Sequence, residues 1–216
     1  MQFNTYTVAG ADIAVWLVNH PVPDAAALSA ELRRHEVHDS LGTAADAAAL
    51  RPWTARLREV FEATAVADKA RLADALLVAA DCRPRLVSHG GGKPFHFHYA
   101  PVETGLAARV RALTAGGLGH VVDGGAGARL RVCDRPGCVV AFIDTSRNGR
   151  RRFCCVRCAN HVNVANHRRR GRVARPAAEA VRPRSPGKPY DGDDQRSFRG
   201  NAEPHAALLR SAGPCA

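Results

Sequence analysis

The chain has 216 residues, 46% of them hydrophobic, and carries 31 Lys and Arg against 20 Asp and Glu, a formal net charge of +11. This balance suits a helical body with one appendage and excludes a pure low-complexity tail. A membrane protein is excluded as well, because no window approaches the roughly 18 uninterrupted apolar residues that a spanning helix needs.

Taken in chain order, the first 125 or so residues read as helices with one hairpin. Asp12 is placed to cap a short apolar helix over 13–18, although its β-branched residues leave a strand open. A second helix is expected from Asp24 to Arg34, with Leu28 and Leu32 four apart. Pro52 suits the first turn of a third, in which Leu57, Val60, Phe61 and Thr64 recur on one face. Asp68 then opens a fourth, where Leu72, Ala73, Leu76, Leu77 and Ala80 form a core-facing stripe before Pro84 stops it.

Beyond Pro84, Leu86-Val87-Ser88 and Phe95-His96-Phe97-His98-Tyr99 flank Gly90-Gly91-Gly92, the pattern of a small β-hairpin. Alternation places Phe95, Phe97 and Tyr99 on one side, expected to pack on the helices, and His96 and His98 on the other. The histidine side, with His89 across the hairpin, reads as an ordinary polar face, a second metal site being the alternative. A last body helix is expected from Glu103 to Thr114, ended by Ala115-Gly116-Gly117, and Gly124-Gly125-Ala126-Gly127 reads as a linker.

The positive charge lies beyond that linker. Residues 1–128 hold 12 basic and 13 acidic residues, residues 129–175 hold 13 and 2, and residues 176–216 hold 6 and 5. So concentrated a field attracts a polyanion, with nucleic acid the leading partner and an anionic membrane surface the competitor. Cysteines crowd the same stretch: Cys133, Cys138, Cys154, Cys155 and Cys158, with Cys82 and Cys215 standing apart. Met1-Gln2-Phe3-Asn4 lacks the basic-then-apolar order of an export signal, so a cytoplasmic address is expected and clustered cysteines read as metal ligands rather than disulfides. The dominance of Arg over Lys, 28 to 3, is in keeping with G+C-rich bacterial coding.

Cys133 and Cys138 enclose Asp134-Arg135-Pro136-Gly137, fifteen residues separate Cys138 from Cys154, and three more precede Cys158. Two such knuckles offer four thiolates to one tetrahedral ion, for which Zn2+ is the natural occupant and an iron–sulfur cluster the alternative. Cys155-x2-Cys158 is the commoner knuckle spacing, so the third ligand is Cys154 or Cys155. Pro136-Gly137 builds the first turn, and Ser146-Arg147-Asn148-Gly149 reverses the chain between extended pieces over 139–143 and 151–153. A site closed by four thiolates leaves no open coordination position, so the zinc is structural. Its binding free energy, on the order of 10–16 kcal/mol, exceeds what so small a core supplies, and metal loss is expected to unfold the module while residues 1–125 stand.

A helix over 156–170 should follow the last knuckle, with Cys158, Val162 and Ala165 inward and Asn160, Asn163, His167 and Arg170 outward. Asn pairs bidentately with adenine and Arg with guanine, so that face is fit to read bases, although Asn160 is also placed to brace the knuckle. Arg150-Arg151-Arg152 and Arg168-Arg169-Arg170 suit phosphates, with Arg147 beside the first run.

The stretch Leu130-Arg131-Val132-Cys133 to Cys138, then Phe142-Ile143-Asp144-Thr145-Ser146-Arg147-Asn148-Gly149-Arg150-Arg151-Arg152-Phe153-Cys154, closing on Cys158-Ala159-Asn160-His161, resembles the CGNR zinc finger of bacterial transcription regulators. The segments 12–19, 97–101 and 110–113 resemble, more weakly, the ABATE domain that precedes the finger in that family. The resemblance implies Cys133, Cys138, Cys154 and Cys158 as the ligands of one structural Zn2+, with Phe153 the aromatic before the third cysteine. Cys158-Ala159-Asn160-His161 departs from the Cys-Gly-Asn-Arg that names the family, and Asn163 stands where a basic residue is usual.

The expected architecture is mainly α, with a small β-hairpin, over residues 1–125. A four-cysteine zinc finger of short β-hairpin and helix follows over 129–172, then a disordered basic, Pro-rich tail over 173–216. The expected function is DNA-binding transcription regulation, the body receiving a signal from a small-molecule effector. The alternative is a zinc-stabilised adaptor for RNA or an acidic protein surface. No nucleophile elbow, P-loop or dinucleotide fingerprint accompanies the histidines, so an enzyme is not expected.

Overall fold

A computed structural model describes residues 5–21, 23–37, 42–88, 95–101 and 104–173. His89, the Gly90-Gly91-Gly92 turn, Glu103, Cys215 and the tail from 174 onward lie outside the described residues. The order is α1 (Thr5–Asn19), α2 (Ala25–Arg34), α3 (Ala44–Glu62), α4 (Val66–Ala79), β1 (Arg85–Val87), β2 (His96–His98), α5 (Leu106–Val121), β3 (Leu130–Val132), β4 (Ala141–Ile143) and α6 (Val156–Val173). The protein is mainly helical, with two antiparallel hairpins, β1–β2 and β3–β4. No helix among the described residues is long and apolar enough to cross a membrane.

Several helix limits differ from the sequence expectation. α1 begins at Thr5, so Asp12 lies inside it and caps nothing. Asp24 does cap α2, accepting from the Ala27 N–H at 2.7 Å. α3 starts eight residues before Pro52, because Thr43 and Asp46 form a reciprocal capping box and Ala44 to Leu50 is rich in the strongest helix former. Thr64 falls beyond its end and is exposed.

α5 runs straight through Ala115-Gly116-Gly117 instead of ending there. The reason is its crossing with α1. A Cβ on Gly117 would stand 2.3 Å from the Ala11 nitrogen, and one on Gly10 would stand 2.3 Å from the Leu113 carbonyl. These glycines let two backbones touch, which offsets their poor helix propensity. Gly116 leaves room for the Tyr99 ring, which a Cβ would meet at 2.7 Å.

The β1–β2 hairpin turns the opposite face inward from the one expected. Leu86 pairs with Phe97 and both point out, 63% and 47% exposed, and Phe95 is 69% exposed, whereas His96 is 5% exposed. Alternation gives two faces but not which one docks, and here the small imidazole of His96, 3.1 Å from His98 Nε2, fits beneath the strand. Of the three aromatics only Tyr99 packs as expected, and burial pushes its phenol up to about 12.

One hydrophobic core gathers Ile13, Leu17, Leu28, Leu32, Leu50, Trp53, Leu57, Phe61, Leu76, Val110 and Leu118, and it includes Leu130 and Ala141 of the β3–β4 hairpin. Residues 122–129 are a wide helical turn broken at Gly125 (φ +71°) and then a tight one, not an extended linker. Lys69 fastens the junction from within. Its buried ammonium donates to Val60 O (2.9 Å) and Phe61 O (3.3 Å) at the end of α3, and to Leu130 O (2.8 Å). A cation suits the negative end of a helix. Burial, aided by the Arg131 charge, still pushes the Lys69 amine down to about 8.

Replacing Lys69 with Met strands three buried carbonyls and should cost about 2–4 kcal/mol in urea titrations at neutral pH. Folded Lys69 sheds its proton near pH 8 while the unfolded side chain holds it to 10.5, so the folded state binds fewer protons and gains stability between them. The parent's advantage over the Met variant therefore widens as pH rises from about 8 to 10. A gap that stays constant would remove Lys69 from that dependence.

Candidate metal centre

The first knuckle is the loop of the β3–β4 hairpin. Leu130, Arg131 and Val132 pair with Ile143, Phe142 and Ala141, so the strand partner is 130–132 and not the expected 151–153, which form no strand. Cys133 continues the ladder, its N–H donating to Val140 O at 2.9 Å. The loop then closes with Cys138 N–H on Arg135 O at 3.0 Å, and Gly137 takes φ +78°, a backbone state that glycine enters without cost. Burial raises the Cys138 pKa, but the Val140 N–H and the three neighbouring cysteines outweigh it and hold the thiol below its ordinary value.

The second knuckle is the entry to α6. Cys154 precedes it and Cys158 lies in its first turn. The sulfurs of Cys133, Cys138, Cys154 and Cys158 all lie within 4.8 Å of one another. Three edges measure 3.9 Å (Cys138–Cys154), 3.6 Å (Cys154–Cys158) and 4.0 Å (Cys138–Cys158). A tetrahedron with metal–sulfur bonds of about 2.3 Å has edges of about 3.8 Å, so the four form a binding site for one structural zinc ion. An iron–sulfur cluster interposes several atoms between its cysteines and needs a wider set. The six described cysteines are free of disulfides.

The geometry also settles the third ligand. Cys155 is not among the four grouped sulfurs, and its own sulfur accepts from the Cys158 N–H at 3.5 Å, three residues on. That is the bond of an N-cap, so the fifth cysteine starts the helix that the fourth ligand occupies.

Around the sulfurs lies a shell of charge that spacing alone did not reveal. Arg135 lies against Cys158, Cys138 and Cys133, whose negative charge raises its pKa. Asp144 is fully buried and braces the Ser146–Gly149 turn: Oδ1 accepts from Ser146 N–H (2.9 Å) and Oγ–H (2.5 Å), and Oδ2 from Arg151 N–H (2.7 Å). Burial opposes its ionisation, but these bonds and the Arg129 charge hold its carboxyl below the ordinary value. Arg129 ties the same turn to β3 through Asp144 O (2.8 Å) and Ser146 O (2.6 Å). An Asp two residues before a Ser is an Asx-turn signal, and it marked this brace in the sequence.

The arginines expected to meet phosphate divide into two sets. Arg151 is occupied in the finger, over the Phe142 ring and bonded to Phe153 O and Cys154 O. Arg152 pairs with Asp134 at 2.8 Å and lies over Phe153. Arg147, Arg150, Arg168, Arg169 and Arg170 are exposed and make no bond to other described residues. On α6, Cys158 is buried and Val162 half-buried, but Ala165 is exposed, so the inward stripe ends after two turns. Asn160, Asn163 and His167 are exposed, and the Asn160 side chain makes no bracing bond to the knuckle.

Residues 129–171 match the family model of the CGNR zinc finger. No curated protein matches the chain.

Replacing Cys154 with Ser should abolish stoichiometric zinc in the purified protein, whereas Cys155→Ser should retain it with little change in stability, because serine is itself a favoured helix cap. Metal analysis of the two variants separates them, and retention by Cys154→Ser with loss by Cys155→Ser would return the third ligand to Cys155.

Proposed function

We propose that the chain is a bacterial, cytoplasmic transcription regulator in which a structural zinc ion holds α6 out for DNA, with the helical body receiving a signal. The observation that carries this is the coincidence of the metal centre with the charge: 13 basic and 2 acidic residues in 129–175, with five arginines left unpaired around an exposed helix. An α-helix fits the major groove, roughly 12 Å wide, and the exposed Asn160, Asn163 and His167 would face base edges. Arg147 and Arg150 on the turn, with Arg168 to Arg170 near the far end of α6, would take phosphates on either side. Arg151 and Arg152 hold the finger, so their removal should act through folding more than through direct binding.

The four thiolates fill the zinc coordination, so we assign the site no catalytic part. On the body, the clefts lined by Ala79, Asp81, Pro101 and Arg111 and by Trp16, His20, Pro23 and Asp24 are where an effector would enter.

Selection from a random duplex pool, with single-stranded RNA as competitor, tests the reading. A preferred duplex sequence is expected. Equal binding of all polyanions at every salt concentration would instead favour an adaptor. Changing Arg168, Arg169 and Arg170 together to Ala should flatten the slope of log K against log salt by about 0.9 for each phosphate no longer neutralised, with zinc content unchanged. An unaltered slope removes these residues from the interface.

A further inference from the structure

The two halves of the metal site are held by different things. In an antiparallel strand, residues two apart present their backbone groups to the same edge. Along β4, Val140 O faces β3 through Cys133 N–H, so Val139 and Ala141 face outward. There the body takes the place of a third strand. The Asn19 amide donates to Ala141 O and accepts from Ala141 N–H, each at 2.9 Å. Arg58 donates to Val139 O at 3.1 Å and to Val18 O, at the C-terminal end of α1, at 2.7 Å. On β3, Lys69 grips Leu130 O, and Leu130 itself is fully buried in the body's core. The chain onward to Arg152 is tied back without metal, through Arg129 to Asp144 and Ser146 and through Asp134 N–H to Arg152 O at 3.0 Å.

Cys133 directly follows β3 and Cys138 stands three residues before β4, whereas Cys154 lies two residues before α6 and Cys158 in its first turn, and over 159–170 that helix is exposed or at most half-buried. We propose that the body holds the first pair of ligands in place with or without metal, and that zinc bolts α6 onto this preformed half-site. Asn19 and Arg58 are then positioning residues for metal binding, although neither touches a sulfur. The unit that zinc orders is residues 153–173, not the whole finger, and this does not depend on what α6 binds.

Hydrogen exchange on the full chain, zinc-loaded and after chelation, tests this directly. On zinc removal, amides of 129–152 should keep their protection and those of 154–173 should lose it. Simultaneous loss over both stretches overturns the proposal. A second measurement is zinc affinity by chelator competition. Asn19→Ala removes two hydrogen bonds that preorganise the half-site and should bind zinc about tenfold more weakly, with body helicity unchanged. An affinity within about twofold of the parent, in a variant that keeps its helical signal, overturns it too. Should Asn19→Ala fail to fold, the exchange measurement on the unaltered chain decides alone.

Discussion

Whatever α6 does depends on four sulfur atoms meeting at one point. The apolar cluster around them is small: Cys133, Phe142 and Cys158 at its centre, with Phe153 and the other cysteines at its edge. Two phenylalanines bury too little surface to hold a charged 18-residue helix, whose isolated form would be marginal in water. Metal–thiolate binding, on the order of 10–16 kcal/mol in comparable modules, is the term large enough to do so. Four thiolates on a dication leave negative charge behind, and Arg135 against the sulfurs offsets part of it.

The features legible in the sequence are those decided locally. Ligand spacing, the Pro136-Gly137 loop, the Ser146–Gly149 reversal and the apolar stripe of α4 each follow from a few neighbouring residues, and all are present. Choices made by distant partners were not legible. Gly116 and Gly117 read as a stop because a mid-helix glycine costs about 1 kcal/mol, and only the crossing with Gly10 explains why the helix tolerates them. The inner face of β2 was ambiguous for the same reason, since period-two alternation is symmetric until something docks against it.

The junction of body and finger shows that limit at its widest. Glycine-rich composition over 124–127 suggested a linker, yet the turns there deliver Leu130 straight into the core. Asn19 and Ala141, 122 residues apart in sequence, form a two-bond clasp that no periodicity announces. An asparagine after an apolar helix reads as a polar end; here its amide completes a strand edge that would otherwise expose unpaired groups.

A similar division of labour governs charge. Of the two acids in residues 129–175, Asp134 is paired with Arg152 and Asp144 is buried under the Ser146 turn with Arg129 beside it. Both carboxylates thus neutralise arginines that build the finger and none that extend from it. The exposed arginines of the turn and of α6 keep their field whole, and Arg135 offsets part of the charge of the nearest thiolates. A segment this basic would repel itself as an isolated chain. Bonding part of its charge inward and anchoring its hairpin on a nearly neutral body offsets that repulsion and leaves the remaining arginines exposed.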